Sequence, residues 1–227
     1  MTETLHDKMY PGESADYRAA RNELLKAELE LDAKVQKIAE MRRALPDGGL
    51  TPEDYIFETV DGSGQEEKVH LSNLFAPEKD TLFLYSFMLA PDTQNACPAC
   101  TSFIDGLSGI SQHLKDRLNF AIVAKAPINQ FDALARSRNW PGVKLLSSFH
   151  NNYSDDYFAV GDNGNQMPAA NIFVKRDDGI HHFWGAELLY VDRPTHPRHV
   201  DQIWPMWNVF DLTPEGRGTD WFPKLAY

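Results

Sequence analysis

Cysteine is nearly absent from this sequence. Two occur in 227 residues, three positions apart, as Cys97-Pro98-Ala99-Cys100. A secreted scaffold spreads several cysteines to staple distant segments, whereas a C-x-x-C pair closes too small a ring to restrain the unfolded chain appreciably. Long apolar runs are missing too: nothing approaches the roughly eighteen consecutive apolar residues of a spanning helix, and residues 1–20 carry no apolar signal core. Clustered positive charge is the third absence. Lys plus Arg total 22 against 33 for Asp plus Glu, a formal net charge of −11, so neither nucleic acid nor a membrane is an expected partner. The cytoplasm is the expected compartment. With 42% hydrophobic residues, a chain of this length can bury a core without disulfides or metals, and no cofactor is called for.

What is present reads as alternating strands and helices. Residues 14–44 are rich in helix formers, with Leu24, Leu25, Leu29, Leu31, Val35, Ile38 and Met41 at helical spacing. Such a helix packs either on the core or on a second subunit, so a homodimer is one expected assembly. Strands are predicted at 55–60 and 68–71 around the turn Asp61-Gly62-Ser63-Gly64, and the nearly continuous apolar run 81–89 should be a central strand covered on both faces. A loop then delivers Cys97, and Phe103, Ile104, Leu107, Ile110 and Leu114 fit a helix starting at the cysteine pair. Residues 119–124 read as a buried strand and 128–138 as a helix, completing a crossover that implies parallel strands. The polar, aromatic stretch 149–165 reads as a surface excursion, and a second hairpin follows at 170–184. Trp204, Trp207, Phe210, Trp221 and Phe222 make the tail too apolar for a free linker. The expected organisation is an N-terminal helical extension (1–48), a central α/β domain (49–198) with a mixed sheet flanked by helices, and an aromatic-rich C-terminal docking segment (199–227), all in one globular unit.

The attacking species in disulfide exchange is a thiolate, so a reactive cysteine must have its pKa brought toward ambient pH. If Cys97 caps the helix, Pro98 takes the first helical position, where its missing N–H costs nothing, and the free amides of the first turn point at the sulfur. Cys97 is then the exposed nucleophile and Cys100 the shielded resolving thiol one turn later. A zinc site would need a second cysteine pair or a histidine pair at ligand spacing, and the chain offers neither. A Cu(I) carrier needs a third soft ligand beside the two thiolates, for which His150, His181, His182 and His196 are the candidates.

The stretches LYSFMLAPDTQNACPACTSFIDGL, NNYSDDYFAV, IFVKRDDGIHHFWGAELLY and MWNVFDLTPEGRG resemble a large bacterial group of thioredoxin-like proteins, domain-of-unknown-function family 899, described as predicted dithiol-disulfide oxidoreductases or isomerases. The resemblance covers most of the chain. It implies a thioredoxin-like fold and a thiol-disulfide oxidoreductase acting on a protein or low-molecular-weight thiol or disulfide. In such folds a cis-proline faces the C-x-x-C, and Pro168, just before the strand 170–175, holds the matching place. The expectation is a cis Met167–Pro168 bond beside Cys97, with Pro98, Met167 and Pro168 contacting substrate. The loop before Cys97 also looks faintly like peroxiredoxins, but Pro91 and Thr93 stand at other offsets, which leaves a thioredoxin-fold peroxidase as the alternative enzyme. Thioredoxin's buried carboxylate has no counterpart in 85–89; Asp92 and Asp105 are the nearest acids.

Overall fold

The computed structural model describes residues 5–93, 95–140, 142–192 and 199–227. The chain divides after Pro46 into two compact units. The first contains one long helix, α1 (Ala15–Arg43), whose start is fixed by Ser14: its Oγ accepts the Tyr17 N–H at 3.1 Å. Arg42 and Arg43 sit in the last turn, where cations complement the helix dipole. No helix of the described residues is long and apolar enough to cross a membrane.

The second unit is built on a seven-stranded mixed sheet. Its strands are β1 (Ile56–Val60), β2 (Glu66–His70), β3 (Thr81–Phe87), β4 (Asn119–Ala124), β5 (Lys144–Ser147), β6 (Ala169–Arg176) and β7 (Gly179–Gly185), in the spatial order β2-β1-β5-β4-β3-β6-β7. The first hairpin turns because Asp61 Oδ1 accepts the N–H groups of Ser63 and Gln65, at 2.8 and 2.9 Å. β3 lies between β4, which runs parallel to it, and β6, which runs antiparallel.

Both faces of β3 are covered, which explains its unbroken apolar sequence. Phe83, Tyr85 and Phe87 point to one side, with Phe103, Ile104, Phe120, Ile122 and Phe131. Leu82 and Leu84 point to the other, with Tyr55, Phe57, Val123, Tyr153 and Phe173. Each large apolar side chain fully buried here contributes roughly 1.5–3 kcal/mol. The first face is roofed by α2 (Pro98–Gly109), α3 (Ser111–Arg117) and α4 (Ile128–Arg138). α4 ends at Asn139, whose φ of 52° is a left-handed cap that asparagine tolerates better than most residues. The tail helix α6 (Pro205–Phe210) follows Trp204, whose ring packs edge-on against Phe103 at 5.5 Å.

The stretch 149–165 is not a plain surface excursion. It contains a single helical turn, α5 (Tyr153–Asp156), that drives Tyr153 into the second core, where its ring meets Tyr55 and Phe57 edge-on at 5.6 and 5.4 Å. Its polar composition conceals this because the buried Tyr153 stands between polar neighbours, Asn151, Asn152, Ser154 and Asp155. The architecture as a whole is a thioredoxin-like α/β fold: a central strand leading to a C-x-x-C helix, a parallel crossover, and an antiparallel hairpin beyond.

Candidate active site

β3 ends at Phe87, and the chain loops out before returning so that the Cys97 N–H bonds the Met88 carbonyl at 3.3 Å. That bond fixes where α2 starts. Cys97 is the N-cap and Pro98 the first helical residue. The Cys97 carbonyl accepts both the N–H and the hydroxyl of Thr101, each at 2.9 Å, while its Sγ accepts the Cys100 N–H at 3.4 Å. The sulfur occupies the place of a capping oxygen, facing amides that the helix leaves unpaired. Both cysteines are free thiols; Cys97 is half-buried and Cys100 buried.

The two thiols are pushed apart in acidity. The Cys97 pKa falls to about 6, chiefly because the Cys100 thiol donates to its sulfur; burial opposes this, and the Cys100 and Ala99 N–H groups add to it. Cys100 is raised well above the ordinary thiol range by giving that hydrogen bond, by burial and by the neighbouring Cys97 charge. The first proton to leave the pair therefore leaves from Cys97. Behind Cys100 stands Tyr85. Its Oη donates to Cys100 Sγ at 3.4 Å, and its ring lies 4.7 Å from Phe103. Burial and the adjacent sulfurs keep the phenol protonated. Tyr85 is a site residue that sequence reading missed; its signal was the single polar tip on the inward face of the strand entering the motif.

Asp92 is exposed in the loop. Asp105 accepts the Trp140 indole N–H at 2.7 Å and pairs with Arg138, so it ties α2 to α4 rather than serving a thiol. The Thr93 hydroxyl is spent within its own turn, on the N–H and carbonyl of Ala90.

The cis-proline expectation is overturned. The Met167–Pro168 bond is trans, since no cis peptide occurs among the described residues. Nor is the Met167 N–H free for a substrate strand, because it donates to Ala159 O at 2.8 Å. The bridge between Val160 and Gln166 already lays the chain out before β6, where the favoured trans bond suffices. Pro168 does come in at the sheet end that leads to Cys97, because Ala169 pairs with Ser86, the residue before the last of β3.

The candidate third ligands among the described residues are not brought to the cysteines. His150 pairs with Glu58 at 3.6 Å, and His181 bonds the Gly48 carbonyl and Asp178. His182 bonds Asn171 and packs on Tyr157 and Phe173, across the sheet from Cys100. His196 lies outside the described residues. No group of three His, Cys, Asp or Glu among the described residues could hold a metal ion.

Among solved structures, the chain is similar to the reduced 2-Cys peroxiredoxin of Plasmodium vivax, with a TM-score of 0.46 and 18% identity over 73% of this chain and 94% of that one. It is also similar to a peroxidoxin of Mycobacterium tuberculosis (0.41 and 19%, over 73% and 97%) and to a mutant of Xanthomonas campestris peroxiredoxin Q (0.45 and 13%, over 72% and 99%). No curated protein matches the sequence. The model of one family matches residues 8–227, nearly the whole chain, and the protein belongs to that family, the bacterial proteins of unknown function DUF899.

Proposed function

We propose that this protein is a thiol-disulfide oxidoreductase with Cys97 as nucleophile and Cys100 as resolving thiol. The observation that carries this reading is the opposed acidity of two thiols one turn apart, the acidic one capping a helix and the other buried behind it. The Cys97 thiolate attacks a disulfide R–S–S–R′, forming Cys97–S–S–R and releasing R′S⁻, which takes up a proton. Cys100 then loses its proton, with the Tyr85 phenol steadying the new charge, and attacks Cys97 Sγ. RSH leaves and the Cys97–Cys100 disulfide remains. The substrate has gained two electrons and the protein has lost them, to be restored by an external dithiol. The substrate is a protein or small disulfide. In a reducing cytoplasm the reaction runs toward reduction. Pro98, Pro168 and the Met167 carbonyl supply the contact surface beside Cys97.

A thiolate with a pKa near 6 also suits attack on a peroxide. Cys97 would become a sulfenic acid as ROH leaves, and Cys100 would condense with it, releasing water and giving the same disulfide. Rapid mixing of the reduced protein with oxidised glutathione or with hydrogen peroxide separates the two readings. Disulfide formation that is fast with glutathione, slow with peroxide and lost in Cys97→Ser supports the oxidoreductase. Fast oxidation by peroxide with glutathione inert overturns it.

A further inference from the structure

On the face of the sheet away from the cysteines is a cavity of about 470 Å³, within the size range of small-molecule sites. Its wall includes the rings of Tyr157, Phe158, Tyr190 and His182 and the carboxylates of Asp156 and Glu187; no lysine or arginine among the described residues lines it. Glu187 acts on both His182 and Tyr190, and Asp156 on Tyr157. Asp156 spends one oxygen, Oδ2, on the Tyr55 hydroxyl at 2.5 Å.

Phe158 is the telling residue. The turn after α5 is closed by two hydrogen bonds, Phe158 N–H to Asp155 O and Ala159 N–H to Ser154 O, a helix ending that places a left-handed residue at Phe158. Its φ is 55°. Glycine normally fills that position because a Cβ is strained there, and a bulky side chain is tolerated only with some return. Burial is not the return, since Phe158 is 64% exposed. Its ring lies instead at the cavity, edge-on to that of Tyr190 at 5.9 Å, and Tyr190 is itself 51% exposed.

We propose that this cavity binds an organic ammonium cation, such as a methylated amine, held against the exposed rings of Phe158 and Tyr190 and balanced by Asp156 and Glu187. Ring faces attract cations through their quadrupole, and most strongly where water is partly excluded. Among the described residues, an anion would meet two carboxylates and no lysine or arginine to balance it. An uncharged ligand would gain from the apolar wall but not from the carboxylates.

Calorimetric titration with choline tests this, run beside the uncharged isostere in which a tert-butyl group replaces the trimethylammonium. Choline should bind saturably and the isostere at least about tenfold more weakly, as expected when charge rather than apolar area is recognised. Phe158→Leu keeps the bulk but loses the ring, and should weaken choline about two- to fivefold, the worth of one exposed cation–ring contact; Tyr190→Ala should do the same. Glu187→Gln should weaken choline and leave the isostere unchanged. Because these side chains are exposed, circular dichroism and Cys97 reactivity should match wild type, which separates lost binding from lost fold. Absence of saturable binding, equal affinity for the isostere, or indifference to both ring variants overturns the proposal.

Discussion

The Tyr85 hydroxyl donates to the sulfur of Cys100 at 3.4 Å, so the more buried of the two thiols has a fixed donor waiting for its charge. A buried thiolate is costly without such a partner.

Tyr85→Phe should therefore slow the second step and spare the first. The ring volume is kept, so the core with Phe103 stays filled. Loss of a hydrogen bond to a charged group should cost about tenfold or more in the rate at which Cys100 releases a mixed disulfide, with the attack by Cys97 unchanged. Single-turnover kinetics resolve the two steps. An equal slowing of both would assign Tyr85 a packing role only.

Cys100→Ser should accumulate a mixed disulfide on Cys97, whereas Cys97→Ser should accumulate none, because only the half-buried thiol meets the partner. Mass spectrometry of each variant after exposure to oxidised glutathione reads this directly, and equal trapping by both would reject the assigned roles.

The thiol pair should also shape stability against pH. Cys97 is depressed to about 6 in the folded protein against about 8.5 unfolded, so between these values the unfolded chain holds more protons and stability rises with pH. That contribution is fully present above about 8.5 and lost as pH falls through about 6. Cys100 is raised, so its thiol stays protonated when folded and stability declines as the unfolded thiol ionises above about 8.5. Urea midpoints across this range should rise and then fall in wild type, and Cys97→Ser should flatten the rising arm. Ultraviolet thiolate absorbance should place the Cys97 ionisation near 6.

Asp105→Ala should destabilise without changing the chemistry. It removes the acceptor of the mostly buried Trp140 indole N–H and the partner of Arg138, at a cost of about 1–3 kcal/mol for the stranded donor. A lowered melting temperature with an unaltered Cys97 pKa is the expected pair of results; a shifted pKa would return Asp105 to the redox site.

Sequence pattern was most informative where one physical signal dominated. β4 and α4 match the predicted ranges, because a run such as Phe120-Ala121-Ile122-Val123 has few other uses and Trp140 marks the helix end. The cysteine pair stood out by its spacing, and Pro98 located the helix start, with Cys97 as its N-cap. Tyr85 did not stand out, since its role depends on which way one strand residue faces. His182 looked equivalent to His181 beside it, but alternation along β7 sends their rings to different partners. Pro168 was correctly set before a strand, while the Val160–Gln166 bridge that lays the chain out ahead of its trans peptide bond is a pairing no local pattern encodes.

The alternation along β3 has a consequence for how the protein can vary. Leu84 faces one core and Tyr85 the other, so consecutive residues belong to different neighbourhoods. Substitutions at one leave the other nearly undisturbed. A one-residue deletion upstream in β3 is a different matter, because it turns the remaining side chains over: Tyr85 would swing away from Cys100, and Ser86 would replace it among aromatic rings. Drift in this strand can thus proceed by replacement but hardly by change of length, whereas the loop around Asp92, which lies outside the ladder and is closed at its base by the Met88–Cys97 bond, can lengthen without moving the sulfur.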